Sequence, residues 1–471
     1  MRPLTKNLVA SMAALTLVAT ACGDNGDDPV ADPVTTEATD DMSDEMSDDM
    51  TADMSDEMSD MSDDMTDDMT DDMSDEMSDM SDEMSDDMSD EMTEDTGDDT
   101  APTTDDGAST LRAGLTSLLQ EHVYLAGITI ETAVDAGGNI EDPSVQAASA
   151  ALDENSVALS EAVGSVAGPE NGEAFLGLWR EHIGFFVDYT LGKATDDQAA
   201  VDQALSDLAG YQQAAGAFFE EITGGEIVAD ELVTGLDGHI ATLTAAIDAV
   251  VAGEPGAFDL LREAGQHMFG AALLLSTGIA NAAPEMFPGD VTSAPAETRA
   301  VLTNLLQEHV YLAGITIEQA VEAGGDMEAP AVQAAAATLD ANSVALSEVI
   351  GSVAGPDNAE AFLGLWREHI GFFVDYTLGA ATGDDAMKEQ ALTDLAGYQQ
   401  AAGAFFEEIT AGELPADALV SSLDMHVSTL TATIDSLVAG DGQVFDLLRD
   451  AAQHMPSSAL AISTAVVAAT S

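Results

Sequence analysis

EAFLGLWREHIGFFVDYTLG occupies residues 173–192 and recurs unchanged at 360–379. Around His182 the positions three, four and seven residues away are Phe175, Leu178, Trp179, Phe185, Phe186 and Tyr189. Apolar residues at that spacing line one face of an α-helix, with the histidine on that face. Elsewhere after residue 110 the apolar spacing is also three and four, with no sustained alternation of period two. The segment therefore predicts an all-α fold.

The repeat extends far beyond this stretch. Residues 110–284 realign on 297–471 without a gap, sharing LLQEHVYLAGITIE (118–131 and 305–318) and DLAGYQQAAGAFFEEIT (207–223 and 394–410). These runs match on every helical face, which implies either helices with no free face or a young duplication. Helices are predicted near 110–136, 143–166, 173–192, 197–223, 229–252 and 256–282 of the first unit. Gly137-Gly138, Gly168-Pro169, Gly224-Gly225 and Gly253 punctuate them, and Asp142-Pro143 supplies an N-cap followed by proline at the first helical position. The expected architecture is two tandem six-helix antiparallel bundles, 110–284 and 297–471, joined by a linker at 285–296 (EMFPGDVTSAPA).

The chain begins differently. Residues 1–22 carry Arg2 and Lys6, an apolar run from Leu8 to Ala19, then Ala19-Thr20-Ala21-Cys22. This has the parts of an export signal, and it resembles a bacterial lipoprotein signal in which Cys22 is lipidated. The expectation is an extracytoplasmic protein anchored by Cys22 to the outer face of the cell membrane. No later segment is expected to span a membrane. Residues 23–109 hold 36 acids, no Lys or Arg and 14 methionines between Met42 and Met92. Such a segment buries too little apolar surface to offset ordering entropy and reads as a disordered tether. Its thioethers suit copper and its carboxylates hard cations, although a slippage-derived solubilising repeat is the simpler reading.

Across 471 residues, 89 Asp+Glu face 10 Lys+Arg, a formal net charge of −79. That excludes recognition of a nucleic-acid backbone, which needs clustered cations. A single cysteine excludes an internal disulfide framework, cysteine zinc ribbons and CxxC redox chemistry. Each helical unit is itself acidic, with 26 and 25 acids against four bases apiece.

Histidine is the one chemical constellation. His122, His182, His239 and His267 are repeated as His309, His369, His426 and His454, and these eight are all the histidines in the chain. Each projects from the apolar face of a different predicted helix. Convergence on copper, zinc or haem is one reading, with Met268 and Met455, each beside a histidine, as added soft ligands. The other reading is four separate core histidines per unit, each bonded to a local polar group. The second is the commoner arrangement, so the histidines are expected to lie scattered. Glu-x-x-His pairs, CxxCH, HExxH, GxSxG and phosphate-binding glycine loops are all absent. Glu121 and Glu181 precede histidines but point elsewhere on their helices. Arg112, Arg180 and Arg262 are expected to neutralise acids within their own bundle.

The order LLQEHVYL, LDxNSVALSE, FLGLWREHIGFFVDYTLG, LAGYQQAAGAFF and AxQHM, with PEMFPG after the first unit, resembles a family of exported bacterial helical-domain proteins often labelled copper amine oxidase. The resemblance covers residues 110–290 and 297–471. It implies a helical fold and export. It does not imply that enzyme, because neither the NY[DE] cofactor motif nor an HxH copper pair occurs; the nearest tyrosine context is Val187-Asp188-Tyr189. The function expected from sequence is a lipid-anchored surface protein with a non-catalytic structural or interaction role, needing no cofactor and meeting an unidentified protein partner. The alternative is a copper or haem carrier using the inward histidines and the methionine-rich tether.

Overall fold

The structure is a computed structural model that describes residues 102–470. The signal, Cys22 and the tether up to residue 101 lie outside the described residues, whereas the expected tether's last stretch, 102–109, is ordered: Thr104 and Ser109 are buried and the first helix begins at Gly107. Within them the fold is all-α, with no strand.

In the first repeat the helices are α1 (Gly107–Asp135), α2 (Pro143–Ala167), α3 (Pro169–Ala194), α4 (Gln198–Ile222), α5 (Ala229–Ala252) and α6 (Ala257–Ala282). The second repeat has α7 (Ala294–Glu322), α8 (Pro330–Ala354), α9 (Pro356–Thr382), α10 (Asp385–Ile409) and α11 (Ala416–Ala439). Its sixth helix is broken at His454 into α12 (Val444–Gln453) and α13 (Met455–Thr470). Pro456 replaces Phe269 of the first repeat, and a proline lacks the N–H that would continue the ladder. Asp106 caps α1 by accepting from the Ser109 N–H, and Asp142 caps α2 through Ser144. Helix α3 starts at Pro169 rather than near 173. Gly168 turns the chain at φ +93°, and proline then sits in the first turn, where no N–H is needed.

The first helix of each repeat is its axis. Helix α1 lies against α2, α3, α5 and α6 of its own repeat and against α7 of the other, and α7 is surrounded in the same way. From Leu119 to Ile130, and from Ala300 to Ile317, every residue is buried. The all-round match of LLQEHVYLAGITIE thus belongs to helices with no free face. Gly127 and Gly314 make this packing possible. A Cβ there would stand 2.5 Å from Leu261 and 2.6 Å from Leu448, inside contact distance.

The two repeats form one compact unit across the α1–α7 contact. Tyr124 and Tyr311 stack at its centre, ring centroids 5.3 Å apart and nearly parallel at 4°. Each hydroxyl donates to the glutamate of the opposite repeat, Tyr311 to Glu121 and Tyr124 to Glu308, both at 3.3 Å. Arg449 of the second repeat also donates to Glu121 (2.8 Å), and Arg262 of the first to Glu308 (3.1 Å). Only Arg180 behaves as the sequence suggested, pairing with Asp153 of its own bundle. Arg262 crosses to the other repeat, and so does Arg112, which pairs with Glu297 and donates to the Val291 carbonyl.

Contrary to the sequence expectation, α5 is long and apolar enough to cross a membrane by length and composition, with mean hydropathy 1.2. Here it packs on α4 and α6 and gives Leu232, His239, Leu243 and Ile247 to the core.

Candidate metal centre

Helices α1, α3 and α5 each place one histidine in the middle of the first bundle, and α7, α9 and α11 repeat the arrangement. His122, His182 and His239 are buried, and their donor nitrogens all lie within 4.8 Å of one another. His309, His369 and His426 do the same. Scattered core histidines are therefore not what the fold contains. The inward faces of three alternate helices meet at one level, which sequence spacing does not reveal.

The short edge of each trio has a defined length. Nε2 of His122 and Nε2 of His182 are 3.4 Å apart, and those of His309 and His369 are 3.3 Å apart. Two imidazoles bound to one ion at about 2.0–2.1 Å and a tetrahedral angle stand about 3.3–3.4 Å apart. The spacing already matches. Ring centroids of the first trio lie 5.3, 6.2 and 6.5 Å apart, so His239 completes the triangle from slightly further out.

Aromatic side chains hold these rings. The Trp179 ring lies 4.7 Å from His122 and 4.5 Å from His182, while Tyr211 of α4 stacks on His182 at 4.6 Å and 22°. Phe186 sets its edge against His182 and His239. In the second repeat Trp366, Tyr398 and Phe373 take the same places. Sequence reasoning placed Trp179 and Phe186 on the apolar face around His182, without a role toward the other histidines, and gave Tyr211 and Tyr398 no role. The tyrosines sit on a helix that carries no histidine, so only the tertiary fold connects them.

Electrostatics keep the imidazoles neutral. Burial, reinforced by the neighbouring imidazole of His239 or His426, brings His122 and His309 down to about 3. His239 and His426 fall to about 4 through burial and the nearby fourth histidine. His182 and His369 are pushed well below the usual value by burial and the other two rings of their trio. A neutral imidazole is the form that ligates a metal. The Nδ1 atoms of His122, His239, His309 and His426 have no hydrogen-bond partner among the described residues, while His182 and His369 are each within reach of the backbone one turn earlier, at Trp179 and Trp366. Unpaired buried polar atoms typically cost about 1–3 kcal/mol each. No carboxylate joins either trio among those residues.

The fourth histidine of each repeat stays outside. His267 bonds the Gly235 carbonyl at 2.9 Å, and His454 contacts the Ser422 carbonyl at 3.0 Å and its hydroxyl at 3.1 Å. Both are half-buried structural residues. Met268 is buried in the apolar core, whereas Met455 lines a cavity together with His309, His369 and His426. Two imidazole trios that could hold a metal are thus the chemical centre of the fold. Comparison with known proteins returns no matching family model, no matching curated protein and no matching solved structure.

Proposed function

We propose that the protein is a two-site metal carrier, each repeat holding one late transition-metal ion on three imidazoles. The observation that carries this reading is the convergence of His122, His182 and His239, and of His309, His369 and His426, at ligating separation. Nitrogen-only donor sets suit copper and zinc, and copper(II) heads the affinity order for divalent ions. Cuprous copper is favoured here. Three neutral ligands and an apolar wall leave the ion's charge uncompensated, and a single charge costs far less to bury than two. Haem is disfavoured, because a macrocycle does not pass between imidazoles whose donors lie within 4.8 Å of each other.

Trp and Tyr rings pack against the imidazoles and no carboxylate joins either trio among the described residues, which supports holding an ion over turning over a substrate. In this reading Cys22 anchors the protein at the outer face of the membrane and residues 23–101 act as its tether. Elemental analysis of the full chain, loaded anaerobically with cuprous ion and then desalted, should give two ions per chain. His182→Ala and His369→Ala should each remove one. Copper content unaffected by these substitutions would return the protein to a purely structural or interaction role.

A further inference from the structure

In the second repeat the three imidazoles form part of the wall of a cavity. His309, His369 and His426 line it with Trp366, Tyr398 and Met455, and most of the remaining lining is Leu, Ile, Phe and Ala. About 40 Å³ is open to the centre of a water-sized molecule, several times the roughly 10–15 Å³ that one water needs. Three ligands leave an ion coordinatively open, and the open side here faces apolar space.

The lining selects by charge and polarity. No lysine or arginine borders the cavity, so an anion entering it would be desolvated without a counter-charge. A water would want two to four polar partners. The Ser458 hydroxyl is already paired with Ser422 at 2.9 Å, Tyr398 presents its ring face to His369, and the unpaired polar atoms of the lining residues are confined to the Trp366 indole and the imidazoles, with no free carboxylate beside them. A small neutral molecule has neither need. We propose that the fourth coordination position of the second repeat's ion opens into this cavity and takes a neutral diatomic of the carbon monoxide, nitric oxide and dioxygen class. This rests on the metal-carrier reading and adds a ligand to it. The Met455 thioether, on the same wall, is the internal competitor for that position.

Carbon monoxide is the probe. A full chain carrying His182→Ala, which leaves only the second site intact, is loaded with one cuprous ion and equilibrated with the gas. Infrared spectroscopy should show one C–O stretching band per copper. Filling the cavity with Ala402→Leu should weaken carbon monoxide binding at least tenfold while copper stays at one per chain. Should that variant not fold, Ser458→Leu fills the same space from α13. Xenon NMR of the metal-free chain provides a second arm, with a shift that either substitution abolishes. Retained copper with no carbonyl band would overturn the inference alone and mark Met455 as the closing ligand. A band of undiminished strength in the filled cavity, or no xenon shift in the unfilled one, would also overturn it. Failure to retain copper at all would remove the metal-carrier reading and this inference together.

Discussion

At the scale of single residues, the molecule keeps six imidazoles neutral in an apolar interior, and this governs its response to pH. The unfolded chain protonates each histidine near 6.5, while burial holds the folded values of four of them at about 3 to 4. The unfolded state binds more protons between these limits, so stability falls as pH drops below about 6.5. Four carboxylates act in the opposite sense, because burial also raises Asp135, and burial with Asp135 raises Glu322. Burial and the surrounding carboxylates of Asp135 and Glu322 raise Glu131 to about 7, and burial with Glu131, Glu322 and Asp135 raises Glu318 to about 8. There the folded state binds the extra proton, so stability declines as pH rises from about 4.5 through those values. Six imidazoles outweigh four carboxylates where the windows overlap. Chelator-treated protein should therefore be most stable near pH 6.5–7 in a denaturation series. Glu318→Gln should flatten the alkaline limb alone. A monotonic rise in stability to pH 9 would contradict this assignment of the buried carboxylates.

At the scale of helices, the contact between α1 and α7 rests on two buried glutamates that each repeat satisfies for the other. Glu121 accepts from Asn155 of its own repeat at 3.1 Å and from Tyr311 and Arg449 across the interface. Arg449→Ala should cost about 3–5 kcal/mol, because it strands a buried carboxylate. The same arginine also pairs with Glu154, whose side chain is 60% exposed, so Glu154→Ala should cost less than about 1 kcal/mol. Equal losses from the two changes in urea unfolding would show that the buried pair carries no special weight. Much at this scale was legible in the chain. Asp142-Pro143 and the Gly-Gly pairs marked the ends of helices, and the three-four spacing marked their apolar faces. Pro456 is a helix breaker by its chemistry, but the first repeat carries Phe269 at the same place in an unbroken helix, so the duplication does not announce the break. The arginine partners were not legible, since Arg262 and Glu308 meet only once two bundles share an axis. The same holds for the metal centre. His122, His182 and His239 were recognisable as inward-facing, but they lie 60 and 57 residues apart in sequence. Their meeting depends on the axial registers of three helices, which no short motif encodes.

At the scale of the whole molecule, the duplication builds a pseudo-symmetric pair whose axial helices cover one another. An isolated first repeat, residues 102–293, would expose the buried face of α1 along with Tyr124 and Glu121. A second copy can cover that face, with Tyr124 stacking on its equivalent and Arg262 reaching the partner's Glu121. Light scattering should find this fragment dimeric, and a stable monomer would show that the α1–α7 contact is dispensable. The central claim, that the imidazole trios and not the methionine-rich tether hold the metal, is most directly tested by X-ray absorption at the copper edge of the full chain loaded with two cuprous ions. Three nitrogen donors at about 2.0 Å are expected, with the outer-shell scattering of imidazole rings. A first shell made of sulfur or carboxylate oxygen, without imidazole scattering, would contradict it.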